Sequence, residues 1–375
     1  LSAAAWLTHH ALVKLRHSLV LSAALRLSSG CTPVAEGKEL DQSEGPTEAT
    51  VTPVEAPAEL PASAPTPPAV TTITISAIGD NTLGGPVGSE RAKGSFQFLH
   101  SASGGDFARP FSGVLKVLEA DDLTIGNLEG PLTDQACRTD HTFAFRGEPA
   151  FAEMLKRGSV EVVSLANNHA EDCGSKGVAD TRAALKAHGV GHFGLGVADV
   201  RKVRGVEVVN LGFTGGNLAV KREVVEAIKA HRKPDNLVIV SFHWGIEGTT
   251  AFSSSQQTLG RAAIDAGADL VLGHHPHVLQ GIENYKGKRI VYSLGNFVFG
   301  GHGQPSDLDT MIFRARFSFS KGALSATGYE LVPAHLSGDK NQNDFRPVLV
   351  SGSEAEAIRA KVVQASPLGE AAAIF

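Results

Sequence analysis

Cysteine is scarce: three residues in a chain of 375 leave room for at most one internal disulfide beside a single remaining thiol. Aromatic residues make up only 6%, and beyond residue 300 too few remain to clamp a nucleobase between rings. No apolar run reaches the length of an ordinary membrane-spanning helix. There is no Lys/Arg run and no basic face, and the net charge is −5, which argues against nucleic acid as a partner. What is present is a 42% hydrophobic composition, the signature of a globular chain with ample core. Its length has room for two domains, although an α/β fold of this size often forms one.

The first 31 residues read as a secretory signal. Lys14, Arg16 and His17 precede the apolar segment 18–25, and Leu27-Ser28-Ser29-Gly30-Cys31 ends it. The small-small-Cys ending resembles a bacterial lipoprotein box, with Arg26 and Ser28 as departures, and makes Cys31 the lipidation candidate. A start near Val13 would give a more compact signal. Residues 32–71 hold eight of the eighteen prolines up to residue 70 and no aromatic residue, so they read as a semi-extended linker that buries no core. At about 3 Å per residue the tether would reach on the order of 100 Å. The expectation is an exported, lipid-anchored protein on the periplasmic or cell-surface side of a membrane. If Cys31 is lipidated, Cys137 and Cys173 are left either to pair in an oxidising compartment or to remain two unrelated thiols.

From Thr72 onward short β-branched runs alternate with helical patterns. Segments 73–78, 123–126, 160–165, 206–213, 237–242, 270–272 and 289–293 read as strands, and 111–119, 150–156, 175–188, 221–230 and 257–266 as helices. Such alternation predicts a largely parallel sheet arrangement covered by helices. Segments 311–318 and 323–331 lack a helix between them and read as a C-terminal β-hairpin, and 355–363 as a last helix.

Five of these strands end in polar residues with metal-ligand character: Asp80-Asn81, Asn127 with Glu129, Asn167-Asn168-His169, His243, and His274-His275-Pro276-His277. Strand carboxyl ends in α/β sheets are where ligands bind, so the five endings are expected on one rim. Each alone has an ordinary structural explanation, such as a turn or a packed histidine; their recurrence does not. Carboxylates, amides and imidazoles without cysteine suit a pair of divalent ions such as Mn, Fe or Zn in hydrolytic work. Such ions, about 3.5–4 Å apart, clamp the attacking and leaving oxygens of a displacement. Asp80 is placed to bridge, and His169 to give a proton to the leaving group.

The order Gly-Asp, Asn-Leu-Glu, Asn-Asn-His, His-Trp-Gly and His-Pro-His resembles the calcineurin-like metallophosphoesterase superfamily. More narrowly, segments 127–131, 164–169 with Asp172 and Gly174, 241–247, 267–269, 273–280 and 292–299 resemble the CapA family of poly-γ-glutamate capsule proteins. The likeness covers roughly residues 73–300. It implies a calcineurin-like α/β fold for 72–340, with 341–375 as an extension of the same domain. It also implies Asp80, Glu129, Asn168, His243, His275 and His277 as ligands of two divalent ions, and His169 as proton donor. Asn81, Asn127, Asn167, Asp172, Glu247, His274 and Asn296 are assigned to the substrate or to the support of the ligands. Two positions depart from the superfamily: Thr82 stands where it has His, and Glu129 where it usually has Asp. CapA-like chains share both departures, which leave the filling of one of the two metal sites open.

The resemblance implies a membrane-attached protein of capsular poly-γ-glutamate synthesis or export, working in a capsule-synthesis complex on an anionic polymer or phosphoester. Two other readings are a periplasmic binuclear phosphoesterase or nucleotidase, and a non-catalytic scaffold that binds the polymer.

Overall fold

The computed structural model describes residues 70–137, 143–216 and 218–367. The signal, Cys31 and almost all of the expected linker lie outside the described residues. The first strand, β1 (Val70–Thr82), begins two residues inside that linker and is buried from Ile75 onward.

A short β2 (Gly85–Pro86), α1 (Phe96–Ala102) and α2 (Leu115–Leu118) lead to β3 (Leu123–Leu128), and β4 (Phe145–Arg146) and α3 (Ala152–Arg157) to β5 (Val162–Ser164). Then come α4 (Gly174–Ala187) and β6 (Gly191–Phe193). A second set follows: β7 (Asp199–Val203), β8 (Val206–Thr214), α5 (Lys221–His231), β9 (Leu237–His243), α6 (Ser254–Ala266), β10 (Leu270–His274), β11 (Ile282–Tyr285) and β12 (Lys288–Val291). The chain then returns through β13 (Asn296–Phe299) to the hairpin β14 (Asp309–Ser320) and β15 (Ala323–His335), followed by β16 (Val348–Leu349) and α7 (Gly352–Ala365).

These strands make two main sheets. One runs β16-β15-β14-β1-β3-β5-β6, with β13 also paired to β1; the other runs β11-β12-β10-β9-β8-β7. Within them β1, β3, β5 and β6 are parallel, as are β8, β9, β10 and β12. The hairpin adds antiparallel strands beside β1.

The sheets pack face to face. Ile73, Ile75, Leu123 and Ile125 of one share a core with Val208, Ile239, Leu270 and Leu272 of the other. The outer faces carry the helices: Leu155 and Leu185 lie with Ile78 and Val163, and Val224, Ile228 and Leu259 with Val238 and Val240. The mixed α/β, largely parallel fold is the expected one, but each sheet carries its main helical layer on one face and meets the other sheet on the second, where α7 adds Ile358 and Val362 to the shared core. Continuous apolar strands demand cover on both faces, and the pattern does not say whether a helix or a second sheet supplies it.

Helix α6 shows how local sequence sets an element. Ser253 Oγ accepts from Gln256 N–H at 3.2 Å while Gln256 Oε1 accepts from Ser253 N–H at 2.8 Å, a reciprocal cap. Gly267, at φ 122°, ends the helix where a side chain would be strained. Glycine has a different task at position 79, where a Cβ would meet the Gly295 carbonyl oxygen at 2.1 Å. Its absence lets Asp80 N–H donate to Gly295 O at 2.9 Å and puts Asn296 in register with Asp80.

Candidate metal centre

Period-two alternation aims the strand ends. In β9, Leu237 and Ile239 enter the core between the sheets while Val238, Val240 and Phe242 face the helices; His243 shares the parity of the inward set. In β10, His274 shares the parity of Leu270 and Leu272. Both histidines therefore enter the seam, as does Asn127, which follows Leu123 and Ile125 by the same rule.

Asp80 is the hub. Its Oδ1 accepts from Asn127 Nδ2 at 2.8 Å and lies 3.2 Å from His274 Nδ1. Its Oδ2 accepts from the His275 backbone N–H at 3.1 Å and stands 3.5 Å from His277 Nδ1. Burial works to raise this carboxyl, but the adjacent ring of His274, with His277 and His243 around it, holds it well below the ordinary range.

Glu129 has the opposite environment. It is 0% exposed, and neither carboxylate oxygen has a hydrogen-bond partner. Burial, then the charges of Asp80, Glu247 and Asp172, push it well above the ordinary carboxylate range. Yet Glu129, His275 and His277 each offer a ligand atom within 4.8 Å of the others. His243 borders that trio, with Nε2 3.0 Å from His275 Nδ1 and 3.4 Å from Glu129 Oε1. Burial also drives His243 and His275 toward their neutral, ligating forms. A buried carboxylate without a partner, facing neutral imidazoles, fits a divalent cation.

Other rim residues hold these in place. Asn296 Oδ1 is 2.8 Å from His277 Nδ1, and its Nδ2 donates to His277 O at 3.3 Å. That grip accompanies positive φ values of 95° at His275 and 58° at His277, a conformation non-glycine residues rarely keep without support. Asn167 Nδ2 donates to Asn127 Oδ1 at 3.2 Å and to Leu128 O at 2.8 Å, while its Oδ1 accepts from His169 N–H at 3.1 Å. Asn81 Nδ2 donates to Gly79 O at 2.8 Å. Asn168 is exposed, and its Oδ1 lies 2.7 Å from His243 Nε2. Glu247 is exposed on the loop after β9, where Gly248 N–H donates to Pro276 O at 2.8 Å. Thr82 is buried with its Oγ1 unpartnered, and so brings no nitrogen ligand.

His169 Nδ1 sits 2.8 Å from Asp172 Oδ2. Phe145 completes this corner, its ring 4.5 Å from His169 and its backbone N–H donating to Asp172 Oδ2 at 2.7 Å. Sequence reasoning missed Phe145, because a contact between a two-residue strand and a turn leaves no periodic signal. Cys137 and Cys173 are joined by a disulfide.

Residues 74–301 match the family described as bacterial capsule synthesis protein PGA_cap. The chain is 35% identical over 213 residues to the PGA biosynthesis protein CapA of Bacillus subtilis, covering 50% of this chain and 56% of that one. It is 36% identical over 218 residues to the capsule biosynthesis protein CapA of Bacillus anthracis, covering 50% and 53%. A probable polyglutamine synthesis accessory protein of Mycobacterium tuberculosis is 30% identical over 238 residues, covering 52% and 62%. The chain thus spans little more than half the length of the first two relatives. The match includes all five strand ends, and the chain belongs to the bacterial capsule synthesis (PGA_cap, CapA) family.

Proposed function

We propose that this chain is an exported, membrane-anchored component of capsular poly-γ-glutamate biosynthesis, with a metal-dependent hydrolase site acting on an anionic polymer or a phosphoester. The family membership and the capsule role in its relatives' names support the setting. The observation that carries the chemistry is the buried, unpartnered Glu129 carboxylate facing His275 and His277.

Glu129, His275 and His277 would hold a divalent ion, with His243 and Asp80 beside them. When bound, that ion supplies Lewis acidity to a substrate oxygen. The chain's own residues do the rest. Asp172 accepts the Nδ1–H of His169, which fixes the tautomer and leaves Nε2 to carry a proton to a leaving group. Asn127 and Asn167 lock the carboxylate side of the rim, and Asn296 orients the His277 ring.

The test is hydrolysis of a chromogenic phosphoester by the purified protein with Mn, with Zn and with neither. Metal-dependent turnover should fall about a hundredfold or more on His169→Ala. No such turnover, with no effect of the substitution, would leave the rim a polymer-binding scaffold. Deleting the gene should remove surface polymer; normal polymer with lost growth on nucleotides would favour the nucleotidase reading instead.

A further inference from the structure

The disulfide lies where the proton-handling histidine is held. Cys173 follows Asp172 directly, and both are buried, at 6% and 4% exposure. Oδ2 of Asp172 serves two partners at once, the His169 ring and the Phe145 backbone, and Cys173 Sγ is 4.0 Å from Phe145 O. The covalent bond therefore closes the same small cluster as the two hydrogen bonds.

A bond to a floating loop would position nothing, but Cys137 has a fixed support. Thr133 Oγ1 and Gln135 Nε2 both donate to Asp180 Oδ2 in α4, at 2.6 and 3.1 Å. Gln135 O accepts from Arg146 Nη1 at 3.1 Å. On the other side, Gly174 opens α4 at φ 69°, its N–H donating to Glu171 O at 2.8 Å, and Cys173 O accepts from Gly177 N–H at 3.3 Å. The short turn carrying Asp172 is thus tied by backbone hydrogen bonds where it enters α4 and by the disulfide to the braced segment at Cys137.

We propose that the Cys137–Cys173 disulfide is a clasp that positions His169 through Asp172, so that the rim is fully assembled only after the two thiols are oxidised. The inference rests on the reading of His169 as the proton-handling group. Reduction breaks one S–S bond and adds two electrons and two protons to give two thiols. A phosphine supplies the electron pair and ends as its oxide, with water supplying the oxygen and protons.

A fall in melting temperature alone does not identify a clasp, because any disulfide closing a loop of this size restrains the unfolded chain. The readout is therefore the His169 ring itself. Nitrogen–proton correlation spectra of the ring nitrogens are compared in the oxidised full chain, in the same protein reduced with tris(carboxyethyl)phosphine, and in Cys137→Ser/Cys173→Ser. The His169 signals are assigned by their loss in His169→Gln, and circular dichroism checks that the fold is kept. The expected result is exchange of the Nδ1 proton about tenfold faster on reduction, with Mn-supported phosphoester turnover falling about three- to tenfold at unchanged KM. Asp172→Asn, with the disulfide intact, should loosen the same proton. An unchanged His169 ring signal in the reduced, folded protein overturns the clasp, and an unchanged signal in Asp172→Asn overturns its transmission through Asp172. A wild-type protein without metal-dependent turnover removes the hydrolase reading instead, and the ring spectra still decide the clasp.

Discussion

Asn127 donates its Nδ2–H to Asp80 Oδ1 at 2.8 Å across the boundary between β3 and β1, with both side chains fully buried. The same amide accepts from Asn167 through its Oδ1, so one side chain ties three strand ends together. Asn127→Ala leaves an Asp80 oxygen short of a donor and an Asn167 donor short of an acceptor. Leaving a buried polar group unpaired costs about 1–3 kcal/mol, and urea unfolding of the metal-stripped protein should show a loss in that range. Metal affinity, read by calorimetry, should weaken about 10–100-fold, as when the support of a ligand is removed. Wild-type values in both measurements would mean that Asp80 is held by its other neighbours alone.

Glu129 makes a prediction of the opposite sign. In metal-stripped protein its folded-state pKa lies above the unfolded value, because burial and the charges of Asp80, Glu247 and Asp172 oppose ionisation. Below the unfolded value both states hold the proton and there is no penalty. As pH rises through it, the unfolded chain releases the proton first, and stability falls. Glu129→Gln has no proton to release, so the stripped variant should be more stable than stripped wild type by about 1–3 kcal/mol near pH 8. The two should converge near pH 4. Metal should then reverse the order, stabilising wild type and leaving the variant almost unmoved in a melting series with Mn or Zn.

Much of this arrangement was legible in the chain, and the exceptions have identifiable causes. β9 and β10 stand out because Leu237 to Val240 and Leu270 to Leu272 are apolar on both faces. The C-terminal hairpin was equally plain from its alternation. β7 was missed because an edge strand reading Asp-Val-Arg-Lys-Val carries too much charge to show a buried face. α6 starts at Ser254, three residues before its expected onset, although Ser253 and Gln256 spell its cap. His274 could have been aimed into the seam by counting in twos from Leu270. Its contact with Asp80 was beyond reach, since the facing of the two sheets is not written in either strand.

Asn296 tests whether the rim depends on backbone support as well as on ligands. It holds the His277 ring nitrogen and the His277 carbonyl at the same time, beside a residue at φ 58°. Asn296→Ala should release the ring and let the backbone relax, weakening metal binding about 10–100-fold while costing only about 1 kcal/mol of stability. Asn296→Asp should recover part of the affinity, because a carboxylate oxygen still accepts from the ring N–H. A calorimetric titration of both variants with Zn checks the pair. Equal affinity in Asn296→Ala and wild type would show that the His275–His277 turn keeps its shape unaided.

Asp121 lies away from the metal rim, just before β3, and sets a pH dependence that metal does not touch. Burial pushes its carboxyl up to about 6, against the pull of the nearby Ser76 hydroxyl and of the Thr124 hydroxyl, which donates to it at 2.8 Å. The folded chain therefore keeps this proton when the unfolded chain has lost it. The contribution is full below the ordinary carboxylate value, near pH 4, and is lost as pH rises toward 6. A shift of this size at a part-exposed group, discounted for solvent screening, is worth about 1–2 kcal/mol. Asp121→Asn should remove that slope and be the more stable protein above about pH 6. Guanidinium midpoints from pH 4 to 8, taken with and without metal, check it: the difference between variant and wild type should follow pH alone. A difference that changes with metal would place Asp121 in communication with the rim, against the separation the fold provides.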